Sequence, residues 1–318
     1  MARNKKTSGS LFTFMNFLIA LLLKNGQYRT MQHYKATLNS YKRYRKDKDI
    51  TFKEIDAKEM QSYEAYLKNV AKVCNNTSSF YLRILRATYN KAVEKGYATQ
   101  QNPFKDVYTG IAKTNKRAIP TESVSSIKRL DSTIVLTPKQ ELARDTFMMC
   151  FYLRGISFID LAHLRKSDLK DGFISYTRSK TGQRISIRWE KDMQDIVDKY
   201  QAQTADSTYL FPFLTSGTNS KNGTLQDKRQ DELRLYHNAE SRITYHLKKL
   251  GAKMGINGKL TLYVARHSWA TTARDKNISI SIISEALGHN SETTTQIYLH
   301  SIQSSEVDDA NAEILASI

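Results

Sequence analysis

The sequence predicts an α+β protein, mainly α, built from two domains, on three observations. Apolar residues recur at helical spacing throughout the first third. Two short segments of alternating pattern flank Lys180-Thr181-Gly182-Gln183 near the middle of the remainder, as a β-hairpin requires. Helix-period segments then resume and run to the C-terminus. At 318 residues the chain is long enough for two cores. Residues 1–106 form the first domain, 107–120 a linker and 121–318 the second domain, with no internal repeat or low-complexity tract.

Taken in order, residues 11–23 (LFTFMNFLIALLL) follow Arg3, Lys5 and Lys6 and so imitate an export signal. No small-residue cleavage site follows, and thirteen residues that include Thr13 and Asn16 are too few to span a bilayer. The expectation is therefore a buried first helix over 9–24, N-capped by Ser8 or Ser10. A second helix covers 28–46 and ends in the basic cluster Lys42, Arg43, Arg45 and Lys46. Asp56 and Lys58 introduce a third that runs to about 73, with Tyr63, Tyr66, Leu67 and Val70 at helical spacing. A fourth, carrying Arg83 and Arg86, covers 77–95 and stops at Gly96. Residues 107–120 are poor in apolar side chains, carry three basic residues and a proline, and read as exposed.

The second domain opens with a helix at Thr121. Residues 138–153 place Ala143, Phe147, Cys150 and Phe151 on one face of a core helix. Helix resumes over 158–164 after a break at Gly155, and the hairpin strands are 173–179 and 184–189. Helices follow near 191–202, 230–254, 262–275, 279–288 and 291–300, with 213–229 a mobile loop. Cys74 and Cys150, the two cysteines, read as small buried hydrophobes in a reducing compartment rather than a disulfide.

Net charge is +18, and it is unevenly spread: residues 1–106 hold 20 Lys/Arg against 8 Asp/Glu, or +12. Such a balance points to a polyanion. Lys42, Arg43, Arg45, Lys46, Arg83 and Arg86 are the candidate contacts to duplex DNA, and phosphate contacts of this kind are blind to sequence. No P-loop is present. No two histidines stand at i, i+4 with a carboxylate and no cysteines pair, so neither a metal nor a cofactor is expected.

The chemistry concentrates near the C-terminus. Tyr263-Val264-Ala265-Arg266-His267-Ser268-Trp269-Ala270-Thr271 is followed by Leu287-Gly288-His289-Asn290 and, nine residues after that histidine, by Tyr298. A guanidinium forks onto phosphoryl oxygens, an imidazole shuttles protons, and a tyrosine hydroxyl can carry a phosphate covalently. Together they suit attack on a phosphodiester.

These motifs resemble those of the tyrosine recombinase (phage integrase) family, and the resemblance extends over most of the chain. It implies that residues 1–106 are a SAM-like core-binding domain on DNA and that 121–318 are catalytic. It further implies that Tyr298, on a helix capped by Ser291, is the nucleophile that forms a 3′-phosphotyrosyl bond. Arg266 then stabilises the transition state, His289 binds the phosphate or assists the tyrosine proton, His267 braces the site, and Lys180 protonates the departing 5′-oxygen. Because the covalent bond preserves the phosphodiester energy, no ATP is needed.

The chain departs from the family pattern twice. The motif Gly-Leu-Arg-x-x-Glu-Leu aligns with Gly155 to Leu161, leaving Ser157 where the first arginine belongs. Either Arg154 swings in, or Arg178, placed on the same strand face as Lys180, supplies the guanidinium. Tyr263 replaces the first histidine of His-x-x-Arg; its hydroxyl can bond a phosphate oxygen but, with a reference pKa of ~10, is a poor base. Such a site resembles those of integrases and invertases from Bacteroides-type mobile elements. The resemblance implies a cytoplasmic, nucleoid-associated DNA integrase with double-stranded DNA as partner and no membrane. It implies a monomer off DNA and a homotetramer on paired sites, the apolar stripe Ala310, Ile314, Leu315 and Ile318 docking on a neighbouring subunit. Two other readings stay open: a type IB topoisomerase-like enzyme, and a DNA-binding regulator with a decayed site.

Overall fold

A computed structural model describes residues 9–112, 114, 117–130, 133–215, 225–300 and 314–315. The fold is mainly α with one small sheet, in two compact units, 1–113 and 114–318. The C-terminal stripe expected over 310–318 lies outside the described residues apart from Ile314 and Leu315, and so does Ser8.

The first unit holds α1 (Leu11–Lys24), α2 (Tyr28–Arg45), α3 (Ala57–Asn69) and α4 (Asn75–Glu94). Helix α1 buries Leu11, Phe12, Phe14, Met15 and Leu18 while Thr13, Asn16, Phe17 and Leu21 stay exposed, so its largely apolar sequence still serves one face. Ser10 occupies the N-cap position, yet its hydroxyl bonds Thr13 Oγ1 at 2.9 Å instead of a backbone N–H. Among the described residues no helix is long and apolar enough to cross a membrane. The core is rich in tyrosines whose hydroxyls are satisfied: Tyr41 donates to Glu59 Oε1 at 2.7 Å and Tyr63 to Ser40 Oγ at 2.8 Å.

Several local expectations need correction. Helix α3 stops at Asn69 because Lys72 turns left-handed and Val73 N–H closes back onto the Leu67 carbonyl; Val70, expected on its core face, is exposed. Cys74 is an exposed residue at the N-cap of α4, whereas Cys150 is buried. The presumed exposed linker is tied down at both ends. Val107 is buried, Tyr108 N–H donates to Glu64 at 3.1 Å, and Asn76 exchanges two hydrogen bonds with Ala112. At the other end Ile119 is buried and its N–H donates to Ser268 Oγ at 2.9 Å.

The second unit begins with α5 (Thr121–Arg129) and α6 (Pro138–Tyr152). A capping box between Thr137 and Gln140, with proline at the first helical position, starts α6. Ala143, Phe147 and Cys150 are fully buried at the centre of this unit, and Phe151 is half-buried beside them. After α7 (Phe158–Ala162) come β1 (Leu169–Lys170), β2 (Phe173–Thr177) and β3 (Arg184–Arg188), an antiparallel sheet in that order. Ile174 opposite Ile187 and Tyr176 opposite Ile185 give its inner face. The two-residue β1 was not foreseen, being too short for a period to register.

Then follow α8 (Lys191–Lys199), α9 (Leu225–Lys253), α10 (Leu262–Asp275), α11 (Ile280–Leu287) and α12 (Glu292–His300). Helix α6 packs against α5, α8, α9 and α10. The loop expected over 213–229 is corrected at both ends: Phe213 and Leu214 are core residues, and α9 starts at Leu225.

Phe147 is fully buried, so Phe147→Ala should lower the stability of this unit by about 3–5 kcal/mol. Ile282→Ala, at an exposed position, should change it by less than about 0.5 kcal/mol. Both tryptophans, Trp189 and Trp269, lie in this unit, so urea unfolding followed by tryptophan fluorescence measures the difference.

Candidate active site

The site assembles at the carboxyl end of α11. That helix stops at Gly288, whose left-handed backbone (φ +62°) turns the chain and leaves the Leu287 and Gly288 carbonyls without helical partners. Two arginines satisfy them. Arg266, from the second turn of α10, donates through Nη2 to Leu287 O at 2.7 Å and through Nη1 to Gly155 O at 2.7 Å. Arg178 donates through Nη1 to Gly288 O. Both side chains are buried, at 6% and 7% exposure. Burial and the neighbouring Arg178 charge both depress the Arg266 pKa, so the pair is held together against its own repulsion. An anion between them would relieve it.

Two glycines make the approach possible. A Cβ on Gly155 (φ +75°) would stand 2.5 Å from Arg266 Cγ and 2.7 Å from its Cα. One on Gly288 would crowd Arg178 Cδ at 3.2 Å and Ile185 Cδ1 at 3.0 Å.

The basis on which Arg178 was singled out is corrected. Strand β2 ends at Thr177, and Arg178 opens the turn: its N–H donates to Gln183 O, and its carbonyl accepts from Gly182 N–H, each at 2.8 Å. Arg178 therefore points inward while Lys180, two residues on, is exposed at the tip. They do not share a strand face. Arg154 lies in the loop after α6 with left-handed backbone (φ +56°) and a half-buried side chain. Ser157, at the register of the family's arginine, is the N-cap of α7 and donates to Asp160 Oδ2 at 2.6 Å. Asp160 Oδ1 in turn accepts from Ser179 N–H at 2.9 Å, fastening the turn that carries Arg178 and Lys180 to α7. Asp160 stands at the acid position of the Gly-Leu-Arg-x-x-Glu-Leu motif, and its hold on the hairpin has no signal in the local sequence.

The remaining groups come from α10 and α12. His289 follows Gly288, with Nε2 3.2 Å from Arg266 Nη2 and Nδ1 2.8 Å from Thr295 Oγ1. Thr295 is fully buried, and its place in the sequence gives no sign that it holds His289. Ser291 Oγ accepts from Thr294 N–H at 3.3 Å, as expected of a cap for α12. Tyr298 is 8% exposed, in a small cluster with Ala270, Ala273, Ile283, Leu287 and Leu299. Its hydroxyl lies 2.6 Å from His267 Nδ1, a contact the sequence did not indicate. Burial raises the Tyr298 pKa well above the ordinary tyrosine value, while the Arg266 charge pulls it down. Tyr263 is exposed, its ring centroid 5.5 Å from that of His267 one turn later on α10.

In the first unit the basic candidates divide. Arg43 and Lys46 are exposed, Lys42 Nζ sits 5.4 Å over the Phe12 ring, and Arg45 pairs with Glu59 at 3.4 Å. Arg86 donates to Thr109 Oγ1 at 2.8 Å, and Arg83 is half-buried. The cluster at the end of α2 also complements the negative end of that helix.

Among known proteins, residues 10–111 match the phage integrase SAM-like domain and residues 125–304 the phage integrase family. Tyrosine recombinase XerA of Pyrococcus furiosus is 29% identical over 191 residues, 59% of this chain and 58% of that protein. The chain thus spans little more than half the length of the XerA relatives it matches. Tyrosine recombinase XerD of Oceanobacillus iheyensis is 24% identical over 275 residues, 85% of this chain and 87% of that protein. In fold, the chain resembles the XerH recombinase bound to palindromic difH substrate (TM-score 0.65, 15% identity, 94% of this chain and 83% of that one). It also resembles the lambda integrase of a tetramer bound to a Holliday junction (TM-score 0.61, 17% identity, 94% and 78%). Since the family match over 125–304 takes in more than half of the sequence, the chain belongs to the phage integrase family.

Proposed function

We propose that this protein is a site-specific tyrosine recombinase that cleaves and rejoins double-stranded DNA through a 3′-phosphotyrosyl intermediate. The observation that carries the proposal is the convergence of Tyr298, Arg266, His289 and Arg178 on the end of α11. Attack by the Tyr298 oxygen on a phosphate seated against the two guanidinium groups forms the new O–P bond. Arg266 and Arg178 offset the charge that develops on the non-bridging oxygens, where loss of one such donor costs roughly 3–4 kcal/mol. Lys180, exposed on the hairpin turn, reaches the departing 5′-oxygen as general acid. Arg178 stands in for the arginine that Ser157 replaces, since it is buried beside Arg266 and reaches the same helix end. The first unit grips DNA through Arg43, Lys46 and their neighbours. Assembly into a tetramer on paired sites fits the lambda integrase tetramer bound to a Holliday junction, which the chain resembles in fold.

Three outcomes are expected. Tyr298→Phe should abolish covalent protein–DNA adduct on a nicked duplex while leaving binding near wild type; adduct formation by that variant would overturn the assignment of Tyr298 as the nucleophile. Arg178→Ala should slow single-turnover cleavage by two orders of magnitude or more, about 3 kcal/mol or greater, with Arg154→Ala much milder. The reverse order would assign the first arginine to Arg154. DNA affinity should fall steeply between 50 and 200 mM salt, as counterion release demands, and Arg43→Ala with Lys46→Ala should flatten the slope. An unchanged slope in titrations of the double variant would remove these residues from the interface.

A further inference from the structure

The proposed reaction needs a group that takes the proton from Tyr298, and two obvious candidates are unsuited to it. Tyr263, at the position of the family's first histidine, carries a neutral phenol, which is a weak proton acceptor. It is also exposed, with its ring set against His267. His289 is committed elsewhere. Arginine has only donors, so the 3.2 Å contact from Arg266 Nη2 makes His289 Nε2 the acceptor. The ring proton then sits on Nδ1, where Thr295 Oγ1 accepts it at 2.8 Å.

We infer that His267 is the general base for this chain's own cleavage step, taking the proton of the Tyr298 hydroxyl on Nδ1. The two atoms are 2.6 Å apart, within the range for proton transfer. Both residues are buried, and their rings lie 5.4 Å apart at centroid, so the contact is fixed by packing between α10 and α12. Neutral His267 with its proton on Nε2 accepts from the Tyr298 hydroxyl. As the phenol oxygen bonds to phosphorus, its proton passes to Nδ1 and gives an imidazolium. The P–O5′ bond breaks with its electron pair leaving on the 5′-oxygen, which takes a proton from the general acid. Rejoining runs the same transfers backwards, the imidazolium returning its proton to the leaving phenolate. The side chain of Tyr263 then has a second use. It covers the outer side of the His267 ring from the preceding helical turn, at the i, i+4 spacing that brings two rings together.

This inference rests on Tyr298 being the nucleophile, and the experiment separates the two. Single-turnover cleavage by the full chain should be measured on a nicked duplex with an ordinary scissile phosphate and on one with a 5′-bridging sulfur. The sulfur leaves without a proton and so makes a general acid dispensable. His267→Asn keeps a hydrogen-bonding group near the Nδ1 position but cannot take a proton. It should bind DNA like the wild type and cleave both substrates about a hundredfold or more slowly, in keeping with the usual contribution of a general base. Cleavage near the wild-type rate would reduce His267 to a brace, and recovery on sulfur alone would make it an acid; either result overturns the proposal. Adduct formation by Tyr298→Phe would instead overturn the nucleophile assignment beneath it. Nitrogen-15 NMR of the native protein gives an independent check that needs no folded variant. His267 should show an unprotonated Nδ1 and a protonated Nε2, and the opposite tautomer would make it a donor to Tyr298 and end the proposal.

Discussion

Two buried guanidinium groups on the carboxyl end of one short helix are the constraint around which the second unit is arranged. The Leu287 and Gly288 carbonyls are the orphan acceptors that any helix leaves at its end, and they lie at the negative pole of its dipole. Arg266 and Arg178 fill them from different elements, α10 and the hairpin turn, so one helix terminus fixes the relative positions of both. The cost is electrostatic. Two like charges are buried side by side, and the Arg266 pKa is depressed by that burial first and by the Arg178 charge second. A site prepared in this way has donors already oriented, the condition under which an arriving phosphate gains most.

Other features follow from holding that geometry. Gly155 is glycine because its carbonyl must come up against Arg266 in a left-handed turn with no room for a Cβ. Asp160 spans from Ser157 to Ser179, so the turn bearing Arg178 is fastened to α7 instead of swinging with the hairpin. His289 leaves the same helix end and is locked between Arg266 and Thr295. Tyr298 arrives last, on α12, packed among apolar residues of α10 and α11 and against the His267 and His289 rings, with its hydroxyl turned toward His267 Nδ1. The two departures from the family motif are thus answered locally. The serine becomes a helix cap, and the tyrosine at the first-histidine position becomes a neighbour of the histidine that touches Tyr298.

Much of this was legible in the sequence, for physical reasons that differ by element. Helix α10 occupies its expected span, 262–275, because a helical period is carried within the segment itself. The hairpin was placed by alternation about a glycine that must adopt positive φ. Boundaries failed where tertiary contacts set them: α3 is cut short by the left-handed Lys72, and Phe213 and Leu214 belong to the core although their neighbours are polar. The presumed linker illustrates the same limit. Its composition is that of a solvated strand of chain, yet Val107 and Ile119 are buried and its backbone is bonded to side chains far away in sequence.

The sequence alone determined which chemistry is present: Arg266, His289 and Tyr298 at family spacing, an inserted hairpin lysine, and a serine where an arginine belongs. It also determined the mainly helical class, since a 3.6-residue period is a local property that each segment carries within itself. The tertiary structure decided which arginine joins Arg266, which ring nitrogen meets the Tyr298 hydroxyl, and that Lys180 and Arg178 point apart. The first two of those relations join residues 21 to 111 positions distant, across helix ends and turns. No period or motif encodes such a distance, because it is set by how the elements pack and not by what any of them is.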